Sequence, residues 1–272
     1  MTRGRAGTLV RYVPLDGFWQ CAIGGFLDKL LRPRMVPLWL LILLQVSISA
    51  SSLVVEIVAG RMIAPYVGMS LYTWTSIIAV VLAGFSVGHW WGGRIAAFET
   101  GRALRITGWT MIAAACTTAG ATLLLRAVAG PVLANLVNPI AAITALSTLA
   151  FFLPSLFAGV PAPVLTVAAM RSSTASERAL GAMFAAGAVG AIAGTLLAGF
   201  LLVPWLGSMA TLLVIAASYV VAAALCFWLG RASRNEAVLS ASGIAVVGLV
   251  SIVTFGLPPV CDRESSYYCI RT

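Results

Sequence analysis

A row of polar side chains along the first long apolar segment is a candidate for chemistry. Gln45, Ser49, Ser52 and Glu56 are spaced at i, i+4, i+7 and i+11, so a helix places them on one face. Because polar groups facing lipid are costly, this face is expected to meet protein or a water-filled cavity. One reading is that Glu56 lines a cation or polyamine path or accepts a proton. The other is that it pairs with a basic residue, Arg61 being the nearest in sequence, or caps backbone groups at the following turn.

The only histidine, His89, lies in the second apolar segment on one face with Thr75 and Ser86. It is either a hydrogen-bonded structural group or a proton relay. A lone histidine with no nearby Cys, Asp or second His is a poor metal ligand. The sequence also lacks a Ser–His–Asp set, paired catalytic carboxylates and an HExxH motif, so we predict no catalytic residue, no metal site and no cofactor.

Small residues at regular spacing predict two close contacts between helices. Spacing of this small-xxx-small kind lets helix backbones approach one another inside a membrane. The residues concerned are Gly84, Gly88 and Gly92 in the second segment, and Gly187, Gly190 and Gly194 in the fifth.

Composition defines the class of protein that must position these residues. Of the 272 residues, 61% are hydrophobic and only 9% are charged, and the mean hydropathy is +1.02. In a soluble domain about a quarter of the residues are charged, far more than in this chain. A soluble enzyme and a nucleic-acid-binding module are therefore excluded. We predict an all-α, polytopic membrane bundle with about seven transmembrane helices. The predicted spans are about 37–58, 73–94, 105–125, 140–160, 180–203, 209–229 and 238–257.

This assignment divides the chain into three predicted parts. Residues 1–35 form a cytoplasmic segment in which 15–32 have the spacing of an interfacial amphipathic helix, the alternative being a poorly ordered tail. Residues 36–258 form the transmembrane domain, and 259–272 a short tail. Thirteen Lys and Arg residues fall on the side of the N-terminus and four on the other. This predicts a cytoplasmic N-terminus and an outer C-terminus, and the net charge of +9 favours contact with anionic lipids.

The block around the first two spans resembles a known family. Residues 56–68 read EIVAGRMIAPYVG, residues 71–76 read LYTWTS, and Gly84 and Gly88 lead to the GGR triplet at 92–94. This closely resembles the membrane domain of fused transmembrane spermidine synthase-like proteins, the major facilitator/spermidine synthase family. The resemblance extends over about 38–272, and residues 262–271 look like the opening hairpin of the aminopropyltransferase domain.

That resemblance implies a membrane module without its catalytic half. In fused relatives the chain continues into a Rossmann-like domain that binds decarboxylated S-adenosylmethionine, and no enzymatic residue can be carried over to this sequence. We therefore expect a non-catalytic subunit or anchor of the bacterial inner membrane, partnered by a separate synthase-like protein or a larger membrane complex. The alternative is a small-solute or polyamine transporter acting as a homo-oligomer, although no internal repeat is apparent in the sequence.

Overall fold

The computed structural model of the protein describes residues 36–257, together with 263–264 and 269–270. Within these residues the chain forms eight α-helices and one five-residue π-helical turn. The α-helices are α1 Leu38–Val67, α2 Leu71–Ala96, α3 Thr100–Asn135, α4 Pro139–Gly159, α5 Pro161–Ser172, α6 Ser176–Leu197, α7 Val203–Leu229 and α8 Arg234–Phe255. The π-helical turn Ala198–Leu202 joins α6 to α7. Two short strands, β1 Arg263–Glu264 and β2 Cys269–Ile270, pair antiparallel.

Six helical stretches among the described residues are long and apolar enough to cross a membrane. They are Leu38–Val67, Leu71–Ala96, Thr100–Asn135, Pro139–Ser172, Ser176–Leu229 and Asn235–Phe255. The prediction of an all-α, multi-pass membrane bundle is confirmed at this level. The predicted interfacial helix over 15–32 lies outside the described residues.

The stretch Ser176–Leu229 is not one straight rod, because the chain reverses at Gly207. This residue has φ 77° and ψ 170°, which is not helical. A Cβ on Gly194 would collide with the carbonyl of Ala50, while the next residue, Ser51, hydrogen-bonds to Ser218 at 2.9 Å. In a straight helix, Gly194 and Ser218 would be about 36 Å apart. Both lie beside the same turn of α1, so the two halves of the stretch run antiparallel.

The turn at Gly207 matches the turn that ends α1. Residues 65–68 read Pro-Tyr-Val-Gly and residues 204–207 read Pro-Trp-Leu-Gly. Gly68 has φ 76° and ψ 169°, within a degree of the values at Gly207. This backbone conformation is accessible essentially only to glycine.

A threonine hydroxyl closes each of these two turns, five residues after Gly68 and four residues after Gly207. The Thr73 hydroxyl donates to the carbonyl of Gly68 at 3.0 Å, and the Thr211 hydroxyl donates to the carbonyl of Gly207 at 2.6 Å. The two turns therefore share a Pro-x-x-Gly sequence and a threonine hydrogen bond to the glycine carbonyl.

The glycines of α2 lie against α4 and α5. A Cβ on Gly88 would collide with the carbonyl of Leu156, and one on Gly92 with the carbonyl of Val160. Gly84 approaches Ser155 in the same manner. As the residue number rises along α2, the number of the contacted residue in α4 and α5 also rises, so α2 runs parallel to these two helices.

The glycines of α6 lie against α1. A Cβ on Gly190 would collide with the carbonyl of Val46, and Gly187 lies beside the side chain of Gln45. With Gly194 against Ala50, these contacts also rise together in number, so α1 and α6 are parallel. The absence of a side chain at these positions allows each backbone to approach its neighbour directly.

The turn between α7 and α8 is held to the start of α3. Ser233 and Glu236 form a reciprocal capping box at the N-terminus of α8. Arg105 of α3 donates to the carbonyl of Gly230 at 2.9 Å and pairs with Glu236 at 3.2 Å. One arginine thus connects three helix ends.

Candidate functional site: a polar layer at mid-length of the helices

The polar face predicted along α1 packs on α6 and α7. The Ser49 hydroxyl donates to the carbonyl of Gly187 in α6 at 2.7 Å. The Ser52 hydroxyl donates to its own helix, to the carbonyl of Ile48 at 2.8 Å, and is hydrogen-bonded to the Tyr219 side chain of α7. These three side chains meet protein groups between helices.

A second pair of hydroxyls joins α1 to α7 beside Ser52. The Ser51 and Ser218 oxygens lie 2.9 Å apart. Because the Ser218 hydroxyl donates to the carbonyl of Ile215 at 2.7 Å, its oxygen accepts the proton of Ser51. Sequence reasoning missed Ser51, Ser218 and Tyr219. Tyr219 is only 1% exposed, and a single tyrosine within an apolar run gave no periodic signal.

These hydroxyls lie close to the middle of the helices that carry them. Ser52 is half-way along Leu38–Val67, and Ser218 is half-way between Gly207 and Leu229. Thr118 is half-way along Thr100–Asn135. We use the name mid-length polar layer for the residues Ser51, Ser52, Thr118, Thr122, Ser218 and Tyr219.

Glu56 lies one helical turn beyond Ser52 and is half-buried. The apolar pattern predicts that the first span ends near residue 58, which places Glu56 at its outer end. The structure instead continues α1 to Val67 through Pro65. Glu56 is therefore about 16 Å from the end of its helix and only one turn from the polar layer.

Arg61 does not share a face with Glu56. The helix is continuous between them, and five residues correspond to a rotation of about 140° around its axis. Arg61 is half-buried. Their proximity in sequence therefore does not place them side by side.

His89 does not join the polar layer. It is exposed on α2, as are Thr75 and Ser86, and its ring centroid lies 6.3 Å from that of Phe85. The neighbouring Gly88 faces the buried contact with α4, so His89 is turned away from the bundle interior. The structure therefore separates His89 from the other predicted polar residues.

Gln45 begins the polar face of α1, about two turns before Ser52. Its amide nitrogen lies beside Gly187. Its side-chain oxygen is buried and accepts no hydrogen bond from the described part of the chain. It is thus an available acceptor between α1 and α6.

An apolar groove lies between α3 and α8, separate from the residues of the polar layer. It has a volume of about 380 Å³ and is lined by Trp109, Leu239, Ser242, Gly243 and Val246. Among residues 36–257, 263–264 and 269–270, no three His, Cys, Asp or Glu side chains come together as metal ligands would.

No family model, curated protein or solved structure matches this chain. The arrangement of side chains is therefore the basis for a function.

Proposed function

We propose that this chain is a non-catalytic integral membrane subunit that anchors or accompanies another protein. The observation that carries this is that serine side chains along the polar face of α1 bond to neighbouring helices. Ser51 bonds to Ser218, and Ser49 bonds to the backbone of α6. A conduit for solutes would instead present such groups to a water-filled path.

The resemblance to spermidine synthase-like membrane domains supplies the expected class of partner. In this proposal the partner is a separate synthase-like protein or a larger membrane complex, and lipids cover the apolar surface that remains. Close contacts such as that of Gly88 with Leu156 support a rigid scaffold, which is what an anchor needs.

We further propose seven crossings in the bacterial inner membrane, with the N-terminus cytoplasmic and the C-terminus periplasmic. The reversal at Gly207 supports two crossings within Ser176–Leu229, and the bias of Lys and Arg supports the orientation. A variant that keeps only Cys261 of the five cysteines tests this. An impermeant maleimide should label it in intact spheroplasts, and labelling only after lysis would contradict the orientation.

A small-solute or polyamine transporter acting as a homo-oligomer is the second candidate. The position of Glu56 favours it, because a half-buried acid one turn from the middle of α1 is near the depth at which transporters bind ions and substrates.

Uptake of radiolabelled spermidine into proteoliposomes separates the two candidates. The subunit proposal predicts that liposomes holding only this chain take up no more spermidine than empty liposomes do. Saturable uptake that Glu56→Gln abolishes and Glu99→Gln leaves intact would establish the transporter, because Glu99 is exposed at the start of α3.

A further inference from the structure

Hydroxyl groups on these helices usually bond to the backbone of their own helix. Threonine hydroxyls generally donate to a carbonyl three or four residues earlier, which satisfies them without a partner helix. The threonines that do so include Thr107, Thr110, Thr117, Thr144, Thr148, Thr166, Thr195 and Thr211.

Thr118 and Thr122 depart from this pattern. Their side chains are 0% and 2% exposed, and neither hydroxyl oxygen has a hydrogen-bond partner among the described residues. A buried hydroxyl that makes no hydrogen bond destabilises a folded protein, because it has lost its interaction with water and gained nothing in return. Two such groups on successive turns of α3 indicate a common ligand.

Their spacing suits a ligand of one oxygen atom. Side chains at i and i+4 lie on the same face of a helix with Cβ atoms about 5–6 Å apart. A water molecule between them can lie about 2.8 Å from each hydroxyl oxygen. Helix carbonyls on this face have a second lone pair, so the water can reach the two to four partners that buried waters have.

We propose that Thr118 and Thr122 together bind one buried water molecule at the middle of α3. This site is independent of the proposed subunit function. It differs from the contact between Ser51 and Ser218, where two hydroxyls bond directly. Within the mid-length polar layer, the Ser51 and Ser218 hydroxyls are thus satisfied by each other, and the Thr118 and Thr122 hydroxyls by a water molecule.

Valine substitutions test the proposal, because valine matches threonine in shape and removes the hydroxyl. Thr107 provides the control: it lies on the same helix, is also 0% exposed, and bonds to Ala103. We expect Thr118→Val and Thr122→Val each to lower the Tm in detergent by about 2–4 °C, and by more than Thr107→Val does. The double variant should lose no more than the larger single loss, because both hydroxyls hold the same water.

The opposite results would overturn the water site. If the two hydroxyls lack a ligand, valine at either position should raise the Tm or leave it unchanged. Losses that add in the double variant would contradict a shared water. Thr118→Ser keeps the hydroxyl, so a high-resolution map should show density for water beside Thr122 in this variant and in the unmodified chain, and none in Thr118→Val. A map of the unmodified chain without that density would also overturn the proposal.

Discussion

The hydroxyl oxygens of Ser51 and Ser218 lie 2.9 Å apart, at the middle of α1 and of the segment that follows Gly207. The two residues are 167 positions apart in the chain, so their contact depends on the reversal at Gly207. Together with the bond between Ser52 and Tyr219, it fixes α7 against α1.

A double-mutant cycle measures this contact. Ser51→Ala and Ser218→Ala should show a coupling of about 0.6 kcal/mol in the free energy of unfolding, which is the average for a hydrogen bond between membrane helices. Ser147 is fully buried but bonds only within α4, so Ser51→Ala combined with Ser147→Ala should show no coupling. Equal coupling in both cycles would contradict a specific bond between Ser51 and Ser218.

The close contact of α2 with α4 should not tolerate a side chain at Gly88. A Cβ there would collide with the carbonyl of Leu156, whereas a Cβ at Gly93 would meet no atom within 4 Å. We expect Gly88→Ala to cost about 1–3 kcal/mol through overpacking. Gly93→Ala and His89→Ala should cost less, because both positions are exposed. Thermal unfolding in detergent measures all three, and similar losses for Gly88→Ala and Gly93→Ala would rule out the contact.

The two matched turns should respond alike to substitution. Gly68→Ala and Gly207→Ala each force a side chain into a backbone conformation with φ near 77°, so we expect a loss of about 1–3 kcal/mol at each. Gly199→Ala is the control, because that residue is helical and a Cβ there meets nothing within 4 Å. If Gly207→Ala is no worse than Gly199→Ala in an unfolding assay, the reversal at Gly207 is incorrect.

The capping box and the ion pair at the start of α8 make separate contributions. Ser233→Ala should cost about 1 kcal/mol by removing the cap. Glu236→Gln keeps a capping side chain and removes the charge that faces Arg105, so its loss should be small and should shrink at high salt. Unfolding at low and high ionic strength measures both, and a salt-dependent loss for Ser233→Ala would contradict this division.

The parts of the fold that depend on local periodicity could be predicted from the sequence. The spacing of Gly84, Gly88 and Gly92 placed them on one helical face, since that follows from helix geometry alone. The sequence did not identify α4 as the neighbour, because partner choice depends on the whole bundle. The end of α1 was placed nine residues early, because Arg61 and Pro65 resemble a boundary. That error moved Glu56 away from the middle of the helix.

Only part of the mid-length polar layer could be predicted from the sequence. Ser49 and Ser52 formed a periodic face with Gln45, but Thr118 and Thr122 lie among other threonines, and nothing in the sequence distinguishes them from Thr117. They differ from Thr117 in hydrogen bonding, because the Thr117 hydroxyl bonds to the carbonyl of Ala113 and theirs have no partner among the described residues. His89 was a candidate because of its residue type, but the structure places it on the exposed face of α2.

The most direct test of the proposed subunit role is to purify the protein from native membranes in mild detergent and identify what accompanies it. We expect a second polypeptide in a fixed molar ratio to this chain. In Gly88→Leu, the amount of that second polypeptide should fall only in proportion to the amount of folded protein. A control with Gly93→Leu should retain it in full, since that position lies outside the helix contact. Recovery of this chain alone as a stable, folded species, at the same yield as in the native membrane, would contradict a partnered subunit.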